Sequence, residues 1–214
     1  MNSVIRKPFK YTNDGMVYWL IGINVLVFAA GQLLGQDFRI NLIYRFSMIP
    51  ASIVHDKTIW TFVTYMFLHG NFRHILFNML GLFIFGIHVE RQMGSKEFLL
   101  YYLLTGALAG VFSFFVYYLT ESNVALMGAS GALFAVMLAY AVFFPDSIIY
   151  IWGILPLRAP VLVFIYTILE LFFSVSGFTS GVAHLTHLAG FGFGWFYFIL
   201  RFGISPWRQL TGRR

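Results

Sequence analysis

The sequence predicts an all-α, polytopic membrane protein with six transmembrane helices. Three observations predict it. First, 59% of the 214 residues are hydrophobic and only 10% are Asp, Glu, Lys or Arg, where an ordinary soluble domain carries about 25% charged residues. That is too little charge to build a polar skin. Second, the apolar residues gather into six blocks, each near the ~20 residues a helix needs to cross hydrocarbon. Third, Lys and Arg fall unevenly on the two sides that those blocks define. The composition excludes disordered, collagen-like and water-soluble globular classes. The chain has no Cys, which excludes disulfides, thiolate metal sites and a Cys nucleophile. The net charge is +6, but the basic residues are scattered between apolar blocks. A lipid bilayer, not nucleic acid, is the expected partner.

The blocks run over residues 16–35, 72–89, 97–119, 128–144, 158–174 and 183–201. The first is too long for a simple signal-peptide core and has no small-residue cleavage pattern after it, so it is expected to be retained. Hydrophilic breaks separate the next three, at Glu90 to Lys96 and at Thr120 to Asn123. Pro145-Asp146 ends the fourth block, and the Gly/Ser-rich stretch from Ser176 to Gly181 precedes the sixth. Ten Lys and Arg lie on one side and four, Arg39, Arg45, Lys57 and Arg73, on the other. The positive-inside rule therefore puts both termini in the cytoplasm. This gives a cytoplasmic segment 1–15, a membrane domain 16–201 and a basic cytoplasmic tail 202–214. The connection 36–71 is too polar to span yet rich in apolar residues. It is expected to be structured and partly embedded, with Trp60 and Tyr65 at headgroup level.

Polar side chains inside spans cost energy and default to a functional hypothesis. Ser130 sits in Gly128-Ala129-Ser130-Gly131 at the opening of span four. The glycines leave its hydroxyl unshielded, and a helix N-terminus offers free N–H groups to a developing oxyanion. The competing reading is a small-residue packing motif. His187 lies one turn before Gly190 in a GxxxG with Gly194. If that face meets span four, His187 comes within reach of Ser130 as the base that a hydroxyl nucleophile needs. His184 is nearer the outer surface and reads as a structural hydrogen bond between helices. His74 and Asn78 share one face of span two and, with the Ser130 amide, can form an oxyanion hole. The alternative is helix–helix glue. His69 and Asn71 sit just outside that turn as candidate caps.

A zinc site on His69, His74, His184 and His187 is disfavoured, because no HExxH helix, Cys or nearby carboxylate accompanies them in the sequence. Glu170, the sole acid deep in a span, is expected near the outer end of span five. It could be a proton relay or a partner for an interfacial Arg, and no catalytic role is assigned to it.

Taken in order, His74-x-x-x-Asn78, Gly128-x-Ser130-Gly131 and His187-x-x-Gly190-x-x-x-Gly194 resemble the rhomboid family of intramembrane serine proteases. The external loop, Glu90-Arg91 and the six-span plan agree, and the resemblance covers roughly residues 16–201 in a minimal bacterial form. It implies Ser130 as nucleophile and His187 as general base, a dyad without an acid. It implies His74, Asn78 and the Ser130 amide as oxyanion-binding groups, and Gly128 and Gly131 as supporting glycines. Phe134 matches an aromatic position that packs on the catalytic His, and Gly190 and Gly194 match close-packing glycines. Span five and the loop 175–182, with Gly177 and Gly181, are implied as gate and cap.

The resemblance implies hydrolysis of peptide bonds in or beside transmembrane helices of membrane protein substrates. It implies no metal and no organic cofactor, and the bacterial inner membrane as the location. The competing readings are a non-enzymatic membrane adaptor on the same fold and, with less support, a transporter. The sequence names neither a natural substrate nor an oligomeric state.

Overall fold

The computed structural model describes residues 8–151, 153–176 and 181–212. Helical segments dominate: α1 (Met16–Leu33), α2 (Gln36–Phe46), α3 (Pro50–Asp56), α4 (Thr61–Thr64), α5 (Phe72–Gly81), α6 (Ile87–Met93), α7 (Ser95–Leu119), α8 (Ser130–Phe143), α9 (Ala159–Ser176), α10 (Gly181–Tyr197) and α11 (Pro206–Thr211). A π-turn, Leu82–Gly86, joins α5 to α6, and another, Phe198–Phe202, extends α10. Among the described residues, Met16–Leu33, Phe72–Met93 and Ser95–Leu119 are long and apolar enough to cross a membrane. Ser130–Phe143 and Ala159–Ser174 are shorter apolar helical stretches, and α8 has only 14 residues. Large apolar side chains such as Leu26, Leu80, Phe164 and Leu200 remain exposed, as lipid-facing positions do in a polytopic bundle.

α8 is the hub. It is buried along nearly its whole length and packs against α7, α9 and α10. It can be ringed in this way because its positions 129–142 hold mostly Ala, Val, Leu and Gly, which leave no polar atom to satisfy. Gly194 of α10 lies against it: a Cβ there would be 2.6 Å from the Tyr101 hydroxyl and 3.1 Å from the Ala135 Cβ. Tyr101 Oη donates to the Ala135 carbonyl at 2.6 Å, tying α7 to α8.

Four features differ from the sequence reading. The helix begun at Phe72 does not break at Glu90 but continues to Met93, stopping where Gly94 adopts φ +86°. A β-hairpin, β1 (Ile148–Ile151) with β2 (Leu155–Arg158), stands between α8 and α9, with Ile149 opposite Leu157. A short apolar run of this kind cannot be separated from helix by periodicity alone. The connection 36–71 folds into α2, α3 and α4; of the two residues expected at headgroup level Trp60 is exposed, but Tyr65 is 1% exposed and donates to the Gly106 carbonyl at 2.7 Å. The tail carries α11, whose Pro206 is buried. Gly177 and the rest of 177–180, the centre of the expected cap, lie outside the described residues, and Gly181 is the first residue of α10.

Two buried acids fasten the helix ends around Gly94. Gly15, the residue before α1, gives the helix no side-chain cap. Glu90 of α6 supplies one, accepting from the Met16 and Val17 amides at 2.7 and 2.9 Å and from Ser95 Oγ at 2.5 Å. A carboxylate at a helix N-terminus also meets the positive end of the helix dipole. Glu97 opens α7 and accepts a two-pronged contact from Arg201, Nε at 2.7 Å and one terminal nitrogen at 2.9 Å, together with the Tyr197 hydroxyl. Glu90→Ala leaves the buried Val17 amide and the part-buried Met16 amide unpaired and is expected to cost about 2–4 kcal/mol. Thermal unfolding in detergent, with Lys96→Ala as a surface control, measures the loss.

Candidate active site

The site begins with the loop that feeds α8. Met48 and Leu126 exchange backbone hydrogen bonds of 3.1 and 2.9 Å, and the Gly128 amide donates to the Tyr65 carbonyl at 3.0 Å. The connection 36–71 thus holds the loop by its backbone. Gly128 has φ +121°, and a Cβ there would lie 2.5 Å from His74 Nε2. Only glycine satisfies both the dihedral and the approach of the imidazole. Helix starts at Ser130, whose amide is one of the first-turn donors that have no intrahelical acceptor.

α10 meets α8 backbone to backbone. A Cβ on Gly190 would lie 2.0 Å from the Gly131 carbonyl oxygen. Thr186 fixes the same turn to α7 through a 2.6 Å hydroxyl–hydroxyl hydrogen bond with Ser113. With the helices at this distance, His187 Nε2 stands 2.7 Å from Ser130 Oγ. The Phe134 ring, one turn along α8, stacks on the His187 imidazole at 4.4 Å between centroids and 10° between planes. The ring fixes the tilt of the imidazole that faces Ser130.

α5 supplies the opposite wall. Asn71 caps it, accepting from the His74 amide at 2.9 Å, while His69 caps nothing. Asn78 Nδ2 donates to the His74 carbonyl at 2.8 Å, and its Oδ1 is buried without a partner among the described residues. His74, Asn78, Ser130, Phe134 and His187 all line one cavity of about 590 Å³. The cavity runs along α8 past Met137 to Ile149 and Ile151 of the hairpin, between α5 and Tyr166 of α9. It is mostly apolar, with the polar groups gathered at the Ser130 end. The structure therefore brings together Ser130, His187, His74 and Asn78, with Phe134, Gly128, Gly131 and Gly190 shaping the contact and Gly194 packing further along α10.

Glu170 lies in the last two turns of α9, the end of span five the sequence reading gave it, but its surroundings differ from that reading. It is 8% exposed, and its partners are two histidines rather than an Arg. Oε2 accepts from His184 Nδ1 at 2.6 Å, and Oε1 lies 3.1 Å from His187 Nδ1, close enough for an ion pair but not aligned as a hydrogen bond. The signal was its burial cost on an otherwise apolar helix; the partner could not be read, because 14 residues separate Glu170 from His184.

The sequence also showed no carboxylate near the histidines, yet Glu170, His184 and His187 place donor atoms within 4.8 Å of one another. A metal does not fit this arrangement. Two ligands of a tetrahedral zinc stand about 3.3 Å apart, whereas the Glu170–His184 contact is a direct 2.6 Å hydrogen bond. His187 also spends its other nitrogen on Ser130.

An α-helical membrane bundle with a Ser–His contact at the head of a buried helix defines the class. The family model of the Rhomboid domain matches residues 56–204, and the chain belongs to the rhomboid family. It is 35% identical over 129 residues to Rhomboid-like protein 11 of Arabidopsis thaliana chloroplasts, covering 60% of this chain and 41% of that protein. It is 30% identical over 131 residues to Rhomboid protease GlpG of Haemophilus influenzae, covering 61% of this chain and 64% of that one. A mitochondrial relative, RHOMBOID-like protein 12 of Arabidopsis thaliana, is 27% identical over 205 residues, which is 86% of this chain and 59% of that protein. The chain thus spans less than two thirds of each of these relatives. The fold and family make it an integral membrane protein.

His69 lies behind the site, 6% exposed, its ring 5.0 Å from that of His74 and both nitrogens without a partner among the described residues. Burial, and secondarily His74, hold its pKa down at about 3. The unfolded chain, titrating near 6.5, then binds the extra proton first. Stability is expected to fall as pH drops below about 6.5, by up to about 1.4 kcal/mol per pH unit, and to level off near 3. Thermal unfolding of wild type and His69→Phe between pH 7 and pH 5 should show a shallower slope in the variant.

Proposed function

We propose that this chain is an intramembrane serine endopeptidase that hydrolyses peptide bonds in or next to the transmembrane helices of membrane protein substrates. The observation that carries the reading is the 2.7 Å contact between His187 Nε2 and Ser130 Oγ at the polar end of an apolar cavity. Family membership and the printed names of relatives such as Rhomboid protease GlpG support it.

In this reading His187 Nε2 takes the Ser130 proton as Oγ attacks the scissile carbonyl carbon. The carbonyl oxygen becomes an oxyanion held by the Ser130 amide, His74 and Asn78. The C–N bond then breaks, the leaving amine takes the proton from His187, and an acyl ester remains on Ser130. Water, deprotonated by His187, attacks that ester and frees the acid, returning the proton to Ser130. No metal or organic cofactor enters these steps.

The substrate enters along α8, where the cavity walls are apolar side chains of α5, α8 and α9. A helical substrate hides its carbonyls in hydrogen bonds, so segments with Gly or Pro are the ones that open to attack. The basic residues orient both termini toward the cytoplasm, and a bacterial inner membrane fits the small six-span plan. This places Ser130 toward the outer face, where water reaches the polar end of the cavity.

A fluorophosphonate probe, which reports an activated serine, is expected to label the wild type in liposomes and to lose its signal in Ser130→Ala and His187→Ala. Labelling that survives either substitution, or binding of transmembrane segments without Ser130-dependent cleavage, would leave the adaptor reading standing. Asn78→Ala should keep the probe site folded and lower kcat for a transmembrane reporter by about 10²-fold or more, the usual effect of removing one oxyanion donor. Single-turnover cleavage measures it.

A further inference from the structure

Glu170 is the one carboxylate among the described residues that reaches the Ser130–His187 pair. It sits on α9, with 11% of its side chain exposed, and its two oxygens divide between the two histidines of α10. Oε2 is anchored by the 2.6 Å bond from His184 Nδ1, and the His184 ring is itself stacked on Phe173 at 5.5 Å. Oε1 is thereby left 3.1 Å from His187 Nδ1.

We propose that Glu170 is a positioning residue of this active site, so that the chain works with a Ser130–His187–Glu170 arrangement rather than a two-residue dyad. The proposal rests on the endopeptidase reading above. For His187 Nε2 to accept the serine proton, the ring must carry its other proton on Nδ1. A carboxylate facing Nδ1 selects that tautomer and stabilises the imidazolium formed when the serine proton arrives. The bent alignment of the resting contact straightens with a small ring rotation; resting enzymes often show such looseness before substrate binds. His184 acts one step further out, holding Oε2 so that Oε1 faces His187. Because Glu170 rides on α9 and His187 on α10, the arrangement is complete only while those helices are docked.

The stacked Phe134 sets the plane of the His187 ring but cannot choose which nitrogen carries the proton. Simple helix–helix glue would make a different prediction: it would couple Glu170 to stability and leave the chemical step untouched.

The test uses the full chain in liposomes with a cleavable transmembrane reporter and Ser130→Ala as the blank. Glu170→Gln keeps the size and a hydrogen-bonding group but removes the charge. It is expected to lower kcat by about 10²-fold with KM unchanged, and Glu170→Asp should recover part of the loss. Thermal unfolding separates this from misfolding, since the Gln variant should melt close to wild type. A Glu170→Gln kcat within about 2-fold of wild type overturns the proposal, as does a loss that Asp does not relieve and that tracks the folded fraction. Activity removed by EDTA and restored by zinc overturns it in favour of a metal on the same side chains. A folded wild type that neither cleaves nor labels would overturn the endopeptidase reading and this role with it. An active wild type with an unaffected Glu170→Gln overturns this role alone.

Discussion

Two helices of this bundle touch through their backbones. A single carbon added at Gly190 would stand 2.0 Å from the Gly131 carbonyl oxygen, closer than any non-bonded contact allows. That approach sets the rest of the site. It places the turn holding Thr186 and His187 against the first turn of α8, and the 2.7 Å Ser130–His187 contact follows. It also brings the Phe134 ring flat onto the imidazole. In lipid, where helices gain little from hydrophobic association, such close packing of small residues is a main source of attraction. The contact that stabilises the bundle therefore also assembles its chemistry, and neither can be altered without the other.

Buried carboxylates carry the second level of organisation. Glu90 caps a helix that lacks its own cap, Glu97 clasps Arg201 and Tyr197, and Glu170 bridges His184 and His187. Glu90 and Glu97 join segments 74 and 104 residues apart, Glu170 joins two consecutive helices, and each is satisfied from a different element. An unpaired charge at these depths would cost several kcal/mol, so the acids specify which helix ends must meet. Glu90 and Glu97 flank the Gly94 turn at the start of α7, whereas Ser130 follows the loop at its far end. The 25 residues of α7, about 37 Å at 1.5 Å per residue, hold the two polar centres apart.

Much of the architecture was legible because hydropathy and glycine spacing are local signals. The six apolar blocks match helical segments to within about four residues at their ends, the second running on to Met93 and the fifth and sixth gaining two residues each, at Ser176 and Gly181. The glycines beside Ser130 and the turn between His187 and Gly190 made a meeting of the two side chains conceivable if spans four and six packed together, and the ordered resemblance to the rhomboid family turned that condition into an expectation. What could not be read depends on tertiary partners. Tyr65 is of an interfacial residue type, and the space left by Gly110, where a Cβ would stand 2.7 Å from its ring, admits it to the core, with the Gly106 carbonyl as its partner. Glu90 sat in a run of polar residues and read as a break, because the amides it caps belong to α1. Glu170 revealed its cost but not its partners. The hairpin after Phe143 was missed since four-residue apolar strands carry too little periodicity to register.

The length of α8 gives a physical reason for the helical connection 36–71. Fourteen residues make about 21 Å of helix, well short of the ~30 Å hydrocarbon core, so non-helical chain must lead down to Ser130. Irregular backbone is tolerated at that depth only when protein satisfies its N–H and C=O groups. Met48 and Tyr65 do so, pairing with Leu126 and Gly128. Those two residues are themselves held in place by buried contacts, Met48 fully enclosed and Tyr65 bonded to Gly106. The nucleophile role proposed for Ser130 needs what the middle of a spanning helix does not provide, a helix start with free amides. A short helix reached by a buried loop supplies both. The helices of 36–71 act as the scaffold that gives the loop's backbone its missing partners.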